Sequence, residues 1–157
     1  WTLHLEHSLI SVSKWESRHN KPFFSTTKEK THAETLDYIK CMTITQNVSD
    51  DVYNRLTSKN LTDIRNYIES PMTATVIHDT QPSSRTGEFL TSELIYYIMM
   101  TFNVPMECQK WHINRLFTLI KIFEIKNRKP RKKSKSEIMK ENAVRNAKRR
   151  EKYNSKG

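Results

Sequence analysis

Glycine is nearly absent from this chain: two residues in 157, Gly87 and the C-terminal Gly157. A loop that cradles phosphate needs several glycines close together, so neither G-x-x-x-x-G-K-[ST] nor G-x-G-x-x-G can be written here, and none is. Cysteine is equally scarce. Cys41 and Cys108 stand alone, without the short C-x-x-C pairs of a structural zinc site. Two cysteines in hydrophobic surroundings do not make a disulfide framework either, which places the expectation on a reduced, intracellular protein. No apolar run reaches the roughly 18 residues that a membrane span needs. An acidic balance is missing too: 27 Lys/Arg face 17 Asp/Glu, for a formal net charge of +10.

That charge is not spread evenly. Residues 126–157 hold 14 Lys/Arg against 3 Asp/Glu, a net of +11, whereas residues 1–125 hold 13 against 14. The basic pI of about 9.7 and the mean hydropathy of −0.76 therefore owe much to the C-terminal tail. The division predicts a core domain over 1–125 and a basic, mobile or helical extension over 126–157.

Along the chain, Trp1, Leu3 and Leu5 alternate with polar residues, the period of a half-buried strand. Leu9, Val12 and Trp15 follow at helical spacing, with Ser8 available as a cap. Thr31 and Glu34 form a capping box ahead of Leu36, Ile39 and Met42, predicting a helix over about 32–43. Ser49-Asp50-Asp51 caps a short helix, and Ser58 or Asn60 opens another that Pro71 ends. The β-branched stretch "MTATVIH", residues 72–78, reads as a second strand able to pair with the first. "DTQPSSRTGE", residues 79–88, is a loop.

Thr91-Ser92-Glu93 begins a helix through "LIYYIMMTF". Pro105 opens the longest apolar helix, over about 105–126, and Pro130 breaks the chain after it. Ser134 and Glu137 make a second capping box for a basic helix to about residue 152. The expected class is mainly α: a compact helical domain with a small two- or three-stranded β element and a basic C-terminal helical tail.

Chemistry-bearing residues are sparse. Cys108 and His112 would share one face of a continuous helix, where they could hold a metal or form a nucleophile and its base. A zinc centre needs further ligands, and the apolar neighbours favour a packed cysteine. His4, Glu6, His7 and Ser8 are close in sequence, but a triad is assembled by the fold and not by proximity along the chain. Asp50, Asp51 and Asp63 read as cap and surface carboxylates. The expectation is no enzyme, no metal and no cofactor.

The apolar stripe of the 105–126 helix carries more. Ile113, Leu116, Phe117, Ile120 and Phe123 form a core face, and Leu119, Ile122 and Ile125 extend it around the helix. Such a helix is either a central element wrapped by the others or a surface that meets a partner, with Met99, Met100 and Met106 as adaptable contacts. The candidate partner-binding residues are Trp15, Trp111, Leu116, Phe117, Ile120 and Phe123. Lys129, Arg131, Lys132, Lys133, Lys148, Arg149 and Arg150 form an electrostatic tail suited to nucleic acid or to an acidic protein surface; a solvated extension is the alternative.

The strings "LEHSLISVSKWES", "ETLDYIKCMTITQNV", "SPMTAT", "ELIYYIMM", "ECQKWHINRLFTLIKI" and "RNAKRREKYNSKG" occur in that order. In this the chain resembles the tail assembly chaperones of tailed bacteriophages (siphophages), from about Leu3 to Gly157. The most specific parts are the Ser-Lys-Trp-Glu around Trp15 and the Glu-Cys-Gln-Lys-Trp-His around Trp111. Ile98 stands where a Trp is usual in that family and Phe24 where a Leu is, both apolar exchanges. Relatives carry extra residues ahead of this start, in keeping with a first residue that is not Met. The resemblance implies a non-enzymatic assembly protein in the bacterial host cytoplasm, with tape-measure and tail-tube proteins as partners. The alternatives it leaves are a structural neck or tail component of the virion and a nucleic-acid-binding accessory protein.

Overall fold

A computed structural model describes residues 2–25, 29–77, 90–128 and 134–154. Among them are seven α-helices: α1 Leu9–His19, α2 His32–Met42, α3 Asp50–Asn54, α4 Ser58–Glu69, α5 Ser92–Thr101, α6 Ile113–Asn127 and α7 Lys135–Tyr153. A 3-10 turn, Met106–Lys110, precedes α6. The chain divides into two units, Trp1–Lys126 and Asn127–Gly157.

Local chemistry sets the helix starts. Thr31 Oγ1 accepts from Glu34 N–H at 3.2 Å, while Glu34 Oε2 accepts from Thr31 N–H at 2.9 Å. This is the reciprocal arrangement that satisfies two otherwise orphaned donors. Ser134 and Glu137 repeat it at the start of α7. The cap of α4 is Thr57, one residue before the pair expected from sequence, because Asn60 replaces the usual Glu and its Oδ1 accepts from Thr57 N–H at 3.0 Å. α1 and α7 end on Asn20 and Asn154, both left-handed, a conformation that asparagine tolerates better than most residues.

Two expectations are corrected. The small β element does not form among the described residues. Residues 2–6 are extended, but they meet the end of α2: His4 C=O accepts from Ile44 N–H at 2.9 Å, and Glu6 N–H donates to Met42 C=O at 2.8 Å. Only an isolated bridge, Leu5 with Thr43, results. With that edge taken, the 72–77 stretch has no strand to pair with, and Met72 turns the chain with a φ of 48°. Val76 is exposed. Trp1, His78 and the 79–88 loop lie outside the described residues.

The second correction concerns the helix expected over 105–126. Pro105 leads into the 3-10 turn, Trp111 is extended, and α6 begins only at Ile113. Hydrophobic spacing does not distinguish one tight turn followed by a break from a continuous α-helix.

The core of the first unit has two parts, and α1 supplies both. Leu9 packs with Ile95, Ile98, Met99, Val104, Cys108, Ile113, Leu116 and Ile120. Val12 and Trp15 pack with Phe23, Tyr38, Ile39, Cys41, Met42 and Tyr53. Among the described residues no single central element organises this core; α1 joins its two parts. Glu16 reinforces the joint: one carboxylate oxygen accepts from Phe23 N–H at 2.7 Å and the other from Ser92 N–H at 2.7 Å. Its charge thus faces the first turn of α5, where the helix dipole favours an anion.

α7 is a helix without a core. Of its described residues only Glu137 is even half-buried.

Candidate functional site

The residues singled out from sequence fall into three groups. Trp15, Leu116 and Ile120 are buried, at 1%, 0% and 4% exposure. The Trp15 indole N–H donates to Glu34 C=O at 3.0 Å, and its ring stacks on His19 at 4.4 Å between centroids. Its polar handle and its faces are engaged inside the chain, so as partner contacts these three are corrected to core residues. Phe117, Phe123 and Trp111 are half-buried. Phe117 meets Phe24 edge-on at 5.2 Å, Phe123 stacks on Phe102 at 5.7 Å, and Arg115 lies 4.1 Å over the Trp111 ring. Lys148, Arg149 and Arg150 are exposed on α7, whereas Lys129, Arg131, Lys132 and Lys133 lie outside the described residues. Of the three methionines, Met99 is buried and Met100 and Met106 are exposed.

The Cys108–His112 pairing that one helical face would have given does not arise. Cys108 sits in the 3-10 turn and packs into the first core part, where burial pushes its thiol pKa up, with Glu107 adding to the rise. A thiol held protonated in apolar surroundings is a poor nucleophile. Cys41 is likewise raised by burial. Among the described residues no group of three or more His, Cys, Asp or Glu could hold a metal ion. Nor is any described helix long and apolar enough to cross a membrane.

His112 instead joins a buried polar cluster that the sequence did not suggest. Its Nε2–H donates to Tyr67 C=O at 3.0 Å, and Asn114 N–H donates to its Nδ1 at 3.3 Å. Both nitrogens are thereby satisfied in one neutral tautomer. The His112 ring lies 4.9 Å from that of His7 and 5.0 Å from that of Tyr67. His7 Nδ1 meets the Tyr38 hydroxyl at 2.5 Å. The His7 backbone is held as well: its N–H donates to Tyr67 Oη at 3.1 Å, and its C=O accepts from Ile113 N–H at 2.8 Å. Burial and the neighbouring His112 bring the His7 pKa down to about 3. Burial lowers that of His112, against the pull of its bond to Tyr67 C=O. Burial raises Tyr38. Two imidazoles and two phenol rings thus sit together, tying the N-terminal segment, α2, α4 and the start of α6. This is a structural joint, not an open reaction centre.

An open concavity lies elsewhere in the same unit. A groove of about 680 Å³ is lined by Leu3 and Leu5 of the N-terminal segment, by Asp51, Val52, Arg55 and Leu56 around α3, and by Asn60, Asp63 and Ile64 of α4. Leu3, Leu5, Leu56 and Ile64 are half-buried, resting on the second core part, while Asp51, Arg55 and Asp63 are exposed. An apolar floor with a mixed charged rim can accept the apolar face of a helix. Sequence reading missed the groove because its lining comes from three segments whose spacing marks each one merely as amphipathic.

Comparison of the chain with protein-family models, with curated proteins and with solved structures finds no match.

Proposed function

We propose that this chain is a non-enzymatic assembly protein of a tailed bacteriophage, a tail assembly chaperone that binds helical segments of tape-measure and tail-tube proteins. The observation that carries the reading is the groove between the N-terminal segment, α3 and α4: half-buried Leu3, Leu5, Val52, Leu56 and Ile64 form an apolar floor open to solvent. A client helix laying i, i+3, i+4 and i+7 side chains on that floor would cover it, while Asp51, Arg55 and Asp63 set its orientation at the rim. Holding a client in this way requires shape and apolar surface and no reacting group. The clients are those the family resemblance implies, and the groove supports the reading as an apolar surface of suitable kind.

The test is co-expression with the tape-measure protein and affinity purification of the complex. Wild-type protein should co-purify with the client, and the double variant Val52→Asp/Leu56→Asp should lose it while its circular dichroism stays helical. If the client fails to co-purify with both the full chain and a chain ending at Asn127, the reading is wrong. Mass spectrometry of purified virions adds a second decision: a chaperone is absent from finished particles, and stoichiometric presence would make the protein a virion component.

A further inference from the structure

We propose that α7 is a binding helix for duplex DNA, seated in the major groove through its lysines and arginines. Three observations lead there. First, α7 forms no core within its own unit: nearly every described residue from Ser134 to Asn154 is exposed. A 19-residue helix without a packed face of its own is marginal, yet both its ends are secured. Ser134 and Glu137 close a capping box at the start, and left-handed Asn154 closes the end.

Second, the charge fits a polyphosphate. The helix carries Lys135, Lys140, Arg145, Lys148, Arg149, Arg150 and Lys152 against three glutamates. No ion pair among the described residues engages any of these cations. At 3.6 residues per turn they surround the axis, with no gap between neighbours wider than about a quarter turn.

Third, the apolar residues form no stripe. Ile138 and Met139 lie near the start, Val144 points to another side, and no large apolar residue follows until Tyr153. A helix lying on an anionic membrane needs one continuous apolar face, which this distribution denies it. A helix in the major groove of B-form DNA has phosphates along both flanks, so cations spread around the axis reach both backbones at once. The major groove of A-form RNA is too narrow to admit it. At about 1.5 Å per residue, α7 is about 28 Å long, within one turn of duplex.

The test uses the full chain and the triple variant Lys148→Gln/Arg149→Gln/Arg150→Gln, which keeps helix propensity while removing three charges. Anisotropy of a labelled 20-base-pair DNA is followed through a sodium chloride titration. Each phosphate contact adds a slope of about −0.9 in log K against log salt, so the variant's slope should be shallower by about 2.7. Its affinity at 0.1 M salt should fall by about a hundredfold or more. Equal slopes for the two proteins would overturn the proposal. So would tighter binding to duplex RNA of the same sequence, or binding to phosphatidylserine vesicles without binding to DNA. Neither result depends on the groove, whose test is capture of the tape-measure protein, so the two readings fail separately.

Discussion

The joint between His7 and His112 makes stability depend on pH in a calculable way. In the folded chain His7 stays neutral down to about pH 3, because burial and the adjacent His112 oppose a charge. In the unfolded chain the same imidazole takes up a proton near pH 6.5. Between those values the unfolded state binds more protons than the native one, so stability rises with pH and falls as pH drops below about 6.5. Each such proton costs about 1.4 kcal/mol per pH unit. From pH 6.5 to 5.0, His7 alone should therefore cost about 2 kcal/mol. His112 acts in the same direction, since burial lowers it too. Against a typical total stability of about 5–15 kcal/mol, that is a large change.

Urea unfolding followed by tryptophan fluorescence, at half-unit steps from pH 7.5 to 5.0, reads the effect. The window stays above the titration of unfolded carboxylates near pH 4, which would otherwise add a slope of their own. The companion variant is His7→Gln, whose side-chain amide can hydrogen-bond to the Tyr38 hydroxyl but takes no proton. Its slope should be lower than wild type by about one proton, whatever its absolute stability. A wild-type stability that is flat across the window, or a His7→Gln slope equal to wild type, would refute the reasoning.

Glu16→Gln should cost about 2–4 kcal/mol by urea titration, since an amide can accept only one of the two buried N–H groups at Phe23 and Ser92 and turns a donor towards the other; an unchanged midpoint would show that the carboxylate is dispensable. Trp15→Ala should cost about 3–5 kcal/mol, as large aromatic truncations in a core do, whereas Trp111→Ala at its half-buried site should cost clearly less. Equal losses in thermal unfolding would contradict the assignment of Trp15 to the interior.

The features legible in the sequence were those that residues close together decide. Thr31 with Glu34, Ser134 with Glu137, and Thr91 ahead of α5 each mark a helix start because the donor and acceptor are three residues apart. The alternation of Leu3 and Leu5 correctly signalled extended chain, but a strand needs a partner, and that edge went to Thr43 and Ile44. The apolar period across Pro105–Lys126 was real, yet it could not reveal the break at Trp111. The joint was beyond reach because His7 meets Tyr38 and Tyr67 across 31 and 60 residues. Cys108 is the neighbour of His112 in sequence, while the groups that hold its ring are Tyr67 C=O of α4 and Asn114 N–H, two residues further along the chain.

Where the apolar surface of α6 went decides how binding can be separated from folding. Leu116 and Ile120 are interior, and Phe117 and Phe123 spend their rings on Phe24 and Phe102. Truncating any of the four removes core contacts, so a lost partner in such a variant would say nothing about the interface. The groove lining and α7 behave differently. Val52 and Leu56 are already half in water, and the cations of α7 touch no core, so charge changes there leave the packed interior alone. The groove lies wholly within Trp1–Lys126, and α7 wholly within Asn127–Gly157. A variant at one therefore leaves the residues of the other untouched, and client capture and DNA binding can be abolished one at a time.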